Sequence, residues 1–251
     1  MIKLLLLITL PFLLPNIAIA RTWKQPDYDL DQNRDEEKTY KFGVFETVAG
    51  YEDPDYSEAL ELASPLKDDR FQSYDVIIVI NIDDEEAVPN ARTAEGQHMR
   101  VYIRPDAIEA IGWERFHMDK PYDPDVGLLY YWKVSTAVPG RITPRGHFSP
   151  EMFSSEHRST TYNNASMPWA VFFTLNYLYA THGTTSNTHL GKKASHGCVR
   201  VETQRARDIF HLIGANGKGQ VDVINRDGSV QTLSDGVRAS KLAYKTLYIV
   251  K

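Results

Sequence analysis

The chain has 251 residues, 42% of them hydrophobic and 24% charged, with a formal net charge of −5 and a pI near 5.9. This composition fits an ordinary soluble globular protein with length enough for one large domain or two small ones, and argues against wholesale disorder or a multi-span membrane protein. An acidic balance also argues against nucleic acid as the main partner, and a single cysteine, Cys198, excludes an internal disulfide framework.

Residues 1–20 read as an export signal. Lys3 supplies the positive start, Leu4 to Leu14 the apolar run, and Ala18-Ile19-Ala20 the small-x-small cleavage site. Pro11 and Pro15 interrupt the run and Arg21 follows directly, which disfavours a membrane anchor. No cysteine follows to carry a lipid. The expected mature chain begins near Arg21, exported across the membrane and with no stable membrane span. Export sharpens the meaning of Cys198. A lone thiol in an oxidising compartment is either buried and inert or kept for its chemistry.

Residues 21–70 carry 14 Asp or Glu against 7 Lys or Arg, so the acidic bias belongs to this extension and the rest is near neutral. Two arrangements are open for it. One is a solvated arm. The other is a docked segment, using Tyr40, Phe42, Val44, Phe45, Val48 and Tyr51.

Residues 71–251 form the expected main body, and the text there is mainly β. Val76–Ile80 is a continuous apolar run, as for a fully buried strand, and Met99–Ile103 alternates. A short helix is predicted within Pro105–Phe116, then a loop forced by Pro121 and Pro124. Leu128–Val134 is aromatic and β-branched and runs toward the turn signal Pro139-Gly140. Further strands are predicted at 169–173, 177–180, 221–224 and 247–250. Ala206, Ile209, Phe210 and Ile213 give one apolar helical face, with Gly214 as the expected stop. Strands without regular helices between them favour antiparallel sheets over a doubly wound fold.

The chemistry concentrates in Ala194-Ser195-His196-Gly197-Cys198-Val199-Arg200. A cysteine nucleophile needs a base and donors for the oxyanion that follows. Gly197 lets a substrate approach the backbone, the amides of Gly197 and Cys198 are candidate oxyanion donors, and Arg200 can steady a thiolate or a carboxylate. His196 sits too close in sequence to swing onto the thiol. His182 is the better base, with a backbone carbonyl near Gly183 fixing its tautomer. Two alternatives stand beside this reading: an inert core thiol, and a zinc site from His182, His189, His196 and Cys198. The spacing of that zinc set matches no recognised ligand pattern.

Ser195-His196-Gly197-Cys198-Val199-Arg200 resembles the Ser/Thr-His-Gly-Cys-x-Asn/Arg motif of the L,D-transpeptidase (YkuD-type) catalytic domain. His182-Gly183 resembles that family's upstream His-Gly. Val134–Gly140 followed by Thr143–Phe148 looks like its "VSTG…TPxGxF" segment, and Tyr162–Trp169 like its "YNNAxMPY" segment. The departures are a short loop, with 12 residues between His182 and Ser195, Ala137 where the family has Gly, a longer stretch over Pro105–Asp125, and the acidic extension.

The resemblance implies a mainly β sandwich or barrel of mixed sheets with a few short helices, and an exported enzyme acting on peptidoglycan peptide stems. It implies that Cys198 attacks the amide after the third residue of a tetrapeptide stem. The thioester then passes to an amine, giving a 3→3 cross-link or attachment of a wall-anchored protein. Under it His182 is the base, Ser195, His196 and Gly197 shape the nucleophile turn and oxyanion hole, and Arg200 holds the turn or a carboxylate. Tyr162, Met167, Trp169 and Gly183 line the groove. The resemblance implies that no metal or organic cofactor is needed, that the place of action is the periplasm or cell wall, and that carbapenems acylate Cys198. Hydrolysis on the same site and a catalytically dead wall-binding module are the alternatives. Oligomeric state has no signature in the sequence.

Overall fold

The computed structural model describes residues 38–60, 62–82, 96–118, 120–174 and 177–251. The export signal and the densest acidic cluster, 27–37, lie outside these residues.

Among the described residues eleven strands occur in chain order: β1 Val76–Asn81, β2 His98–Ile103, β3 Leu128–Lys133, β4 Gly146–Phe148, β5 Met152–Arg158, β6 Ser166–Phe172, β7 Ala180–Thr184, β8 Val199–Glu202, β9 Lys218–Asp222, β10 Ser240–Tyr244 and β11 Thr246–Val250. Three α-helices accompany them: α1 Tyr56–Leu60, α2 Pro105–Ile111 and α3 Thr203–Asn216. The strands make a five-stranded sheet in the order β3-β2-β1-β11-β4, a four-stranded sheet β5-β6-β7-β8 and the hairpin β9-β10. Both larger sheets are mixed. β1 runs parallel to β11, and β7 parallel to β8. The antiparallel preference inferred from the absence of regular helices therefore fails at two pairs, because a strand from the far C-terminus closes one sheet and an irregular loop links the parallel pair in the other.

β1 shows why a continuous apolar run belongs at a sheet centre. Val76, Ile78 and Ile80 face the main core, which also holds Phe153, Phe210 and Ile213. Ile77 and Val79 face a second cluster with Ala59, Leu66, Phe71, Tyr74 and Leu247. Alternate side chains leave opposite faces of a strand, so burial on both faces demands apolar residues at every position. Residues from both sides of position 70, Ala59 and Leu66 before it and Phe71 and Tyr74 after it, pack on this second face.

The segment from Lys38 onward is docked. Phe42 is fully buried in the main core, its N–H donates to Arg115 O at 2.7 Å, and its carbonyl accepts from His117 N at 2.7 Å. Burying such a ring contributes about 1.5–3 kcal/mol. Its ring stacks on Phe116 at 4.8 Å.

Helix α3 buries the predicted face, Ala206, Ile209, Phe210 and Ile213. It does not stop at Gly214. It continues to Asn216 and is capped by Gly217, whose φ of 70° is open to glycine at little cost and whose N–H reaches Ile213 O. At the other end the Glu202 carboxylate caps the amides of Gln204 and Arg205. The strand expected at 177–180 also begins later, at Ala180; Tyr177 has φ +53°, outside the extended region.

Candidate active site

The four-stranded sheet carries the candidate site. In the parallel pairing of β7 with β8, His182 lies opposite Arg200. Cys198 sits in the bend immediately before β8, two residues ahead of Arg200. The 14 residues from 185 to 198 make the crossover, with one 3₁₀ turn at Asn187–His189. His182 and Cys198 line one cleft of about 850 Å³.

The turn that carries Cys198 is framed by the strand-like segment after β3. Ser135 exchanges both backbone hydrogen bonds with Arg200, at 3.0 and 2.9 Å. Thr136 O accepts from the amides of Ala194 and Ser195, and Ser195 O accepts from Val138 N. Arg200 Nη1 donates to Ala194 O at 3.0 Å, so its guanidinium ties the two ends of the turn. Thr143 Oγ1 donates to Gly197 O at 2.8 Å and accepts from Ala137 N at 3.1 Å.

Gly197 is required by geometry. Its φ is +144°, and a Cβ there would lie 2.7 Å from the Tyr179 ring and 2.9 Å from Ile142 O. Its amide donates to Ser195 Oγ at 3.0 Å. The Ser195 hydroxyl thus takes the N–H of one of the two candidate oxyanion donors, as a side chain that stabilises a tight turn does.

His182 is buried, and Nδ1 lies 2.9 Å from Gly183 O. With Nδ1–H donated to that carbonyl, Nε2 is left as the basic nitrogen. Burial pulls its pKa down to about 4, opposed by the Gly183 carbonyl and helped by the nearby positive charge of Arg200. Burial pushes the Cys198 thiol up, while the Ala180 N–H and Arg200 pull it back. Sγ lies 3.8 Å from Leu178 O, which the S–H donates to. Both shifts favour a neutral resting pair, thiol and imidazole.

The remaining predicted residues divide. Tyr162, Met167, Gly183, Ser195, His196 and Arg200 all line the cleft. His196 is exposed and its ring stacks on Tyr162 at 4.5 Å. Trp169 does not join them. With φ +56° it turns toward α3, where its ring lies 5.3 Å from Phe210 and beneath the Arg207 guanidinium. Its neighbour Pro168 lines the cleft instead. Sequence reasoning gave no role to Thr143, Tyr179 or Thr203. Thr143 stood within the quoted "TPxGxF" resemblance, and Tyr179 within a predicted strand; Thr203, whose Oγ1 donates to Thr184 O at 3.1 Å, had no signal. Among the described residues no group of three or more His, Cys, Asp or Glu is placed to hold a metal ion, and no helix is long and apolar enough to cross a membrane.

Residues 120–223 match the family model of the L,D-transpeptidase catalytic domain (YkuD). No curated protein matches the chain. An L,D-transpeptidase structure from Mycobacterium smegmatis is 16% identical, over 71% of this chain and 59% of that one, with a TM-score of 0.41. One from Mycobacterium tuberculosis H37Rv is 15% identical, over 71% and 58%, with a TM-score of 0.39. One from Xylanimonas cellulosilytica is 17% identical, over 71% and 61%, with a TM-score of 0.37. The chain spans less than two thirds of each of those structures. The matched segment contains both His182 and Cys198, so the part of this chain that is similar to the YkuD L,D-transpeptidase catalytic domain holds both residues.

Proposed function

We propose that the chain is an exported cysteine acyltransferase that acts on peptidoglycan peptide stems. The observation that carries this reading is the cleft shared by Cys198 and His182, with His182 Nδ1 held by Gly183 O and Nε2 left basic. The match of residues 120–223 to the L,D-transpeptidase family model supports the substrate class.

In this reading Cys198 Sγ attacks the carbonyl carbon of the amide that follows the third residue of a tetrapeptide stem. The thiol proton passes to His182 Nε2 as the S–C bond forms, which suits a pair that rests neutral. The Cys198 amide is the proposed donor to the oxyanion, since the Gly197 amide serves the turn. The C–N bond then breaks and Nε2–H protonates the departing amine of the terminal residue. An acceptor amine attacks the thioester and gives its proton to Nε2. The C–S bond breaks, and the proton returns to sulfur. Arg200 holds the turn throughout, and Tyr162 and Met167 contact the stem.

The acceptor is a second stem or a wall-anchored protein; water would make the same site a hydrolase. The test is mass spectrometry of the products from tetrapeptide-stem fragments, with Cys198→Ala as control. Cross-linked dimers absent from the control support the transferase. Tripeptide products alone replace it with a hydrolase, and no product from either protein removes the enzymatic reading.

A further inference from the structure

Residues 45–53 run along the outside of the elements that carry the site. Asp53 meets Arg205 as a two-pronged fork, Nε to Oδ1 at 3.1 Å and Nη2 to Oδ2 at 2.5 Å. The third nitrogen, Nη1, reaches Glu202 Oε2 at 3.1 Å. The guanidinium is sandwiched between the rings of Phe45 and Tyr51, at 4.4 and 4.1 Å, and Tyr51 Oη donates to Asp53 Oδ1 at 2.9 Å. Such a fork between flat rings fixes an arginine in one place.

The far end of this network is catalytic scaffolding. Glu202 is the last residue of β8, four after Cys198, and it pairs with Thr184 on β7, two after His182. The same segment also braces the crossover. Asn187 Nδ2 donates to Ala49 O at 3.4 Å, and Gly50 packs so closely on Thr188 that a Cβ would come within 3.0 Å of its methyl. One stretch of chain therefore grips the ends of β7 and β8 and the loop between them, touching neither His182 nor Cys198.

We propose that Asp53 is a positioning residue for the active site, acting through Arg205 and Glu202 on β8, and that residues 45–53 hold His182 and Cys198 in register. The inference rests on the roles given to those two residues above. It needs no knowledge of the acceptor. Releasing the fork leaves the cleft lining intact and loosens the separation between sulfur and imidazole.

The test uses the full chain, in which Cys198 is the sole cysteine, so alkylation by iodoacetamide read by intact mass reports on that sulfur alone. In folded Asp53→Asn, kcat on tetrapeptide stems is expected to fall about 10-fold with KM within about twofold, since a misplacement of an ångström costs up to about 100-fold. The alkylation rate is expected to rise about threefold as the thiol leaves the Leu178 carbonyl, and Asp53→Glu, which can remake the fork, to restore both toward wild type. A folded Asp53→Asn with wild-type kcat and an unchanged or slower alkylation rate overturns the inference. If Asp53→Asn does not fold, Tyr51→Phe removes only the hydroxyl that orients the carboxylate. A smaller shift in the same directions supports the inference, and none in the folded variant overturns it. Absence of stem turnover in the wild type would fail the proposed reaction instead, and the ratio of alkylation rates between variant and wild type would still decide the role of Asp53.

Discussion

The two large sheets are built on opposite terms. In the five-stranded sheet every residue of β1 and β2 is buried, and its two faces are both covered. In the four-stranded sheet, by contrast, the burial of β5 and β6 is broken by half-buried and exposed positions, and one face opens into the cleft. The first sheet has no described residue with positive φ outside glycine. In and beside the second stand all four: Asn163, Asn164, Trp169 and Tyr177. Strain of this kind costs of order 1–3 kcal/mol per residue and gathers where function requires it. The first sheet is buried on both faces, and the irregular one lines the candidate site.

The comparison breaks most sharply at the reacting atoms. Cys198→Ala and Cys198→Ser should abolish turnover and leave the thermal midpoint near wild type, as measured by product mass and circular dichroism. His182→Ala should lower kcat by at least about 100-fold, the range for loss of a general base. His196→Ala, which loses only a stacking contact with Tyr162, should cost far less; the reverse order in kcat would exchange the two roles.

On the stabilising side, Phe42→Ala should cost about 3–5 kcal/mol in urea unfolding, the range for emptying a fully buried aromatic site. Smaller effects should follow pH. The Asp208 carboxyl is fully buried and holds Tyr40 Oη at 2.5 Å and Gly43 N at 2.7 Å. Burial raises its pKa to about 7, from an ordinary value of 3.8. The folded protein therefore keeps a proton that the unfolded chain has released between about pH 4 and 7, and stability falls as pH rises through that window. Asp208→Asn should flatten this slope in melting curves taken across it. His182 acts in the opposite sense: neutral in the fold down to about pH 4, it adds stability above its ordinary pKa that is lost as pH falls toward 4.

The same contrast explains what could be read from the sequence. β1 and the apolar face of α3 were legible because burial on a regular element writes itself as a repeat. Helix length was not, because Gly214 and Gly217 are equivalent to a pattern reader and only backbone geometry separates them. The Tyr177–Ala180 strand and the place of Trp169 were missed for one reason: each involves a non-glycine residue at positive φ, which composition does not mark. The motif around Cys198 named its residues, and the carbonyl partner of His182 followed from proximity to Gly183. The sequence did not show that Ser195 Oγ takes the Gly197 amide. Nor did it decide between an arm and a docked segment for residues 38–53, since the deciding partners, Arg205 and Asp208, lie about 150 residues away.

The most direct measurement of the central claim is intact-mass analysis of the chain mixed with a tetrapeptide stem and quenched in acid, followed by peptide mapping. The account predicts a tripeptide-acyl adduct on Cys198, labile to hydroxylamine, that forms much more slowly in His182→Ala. A chain that turns over the stem with no adduct on Cys198, or an adduct formed as fast without His182, would contradict it.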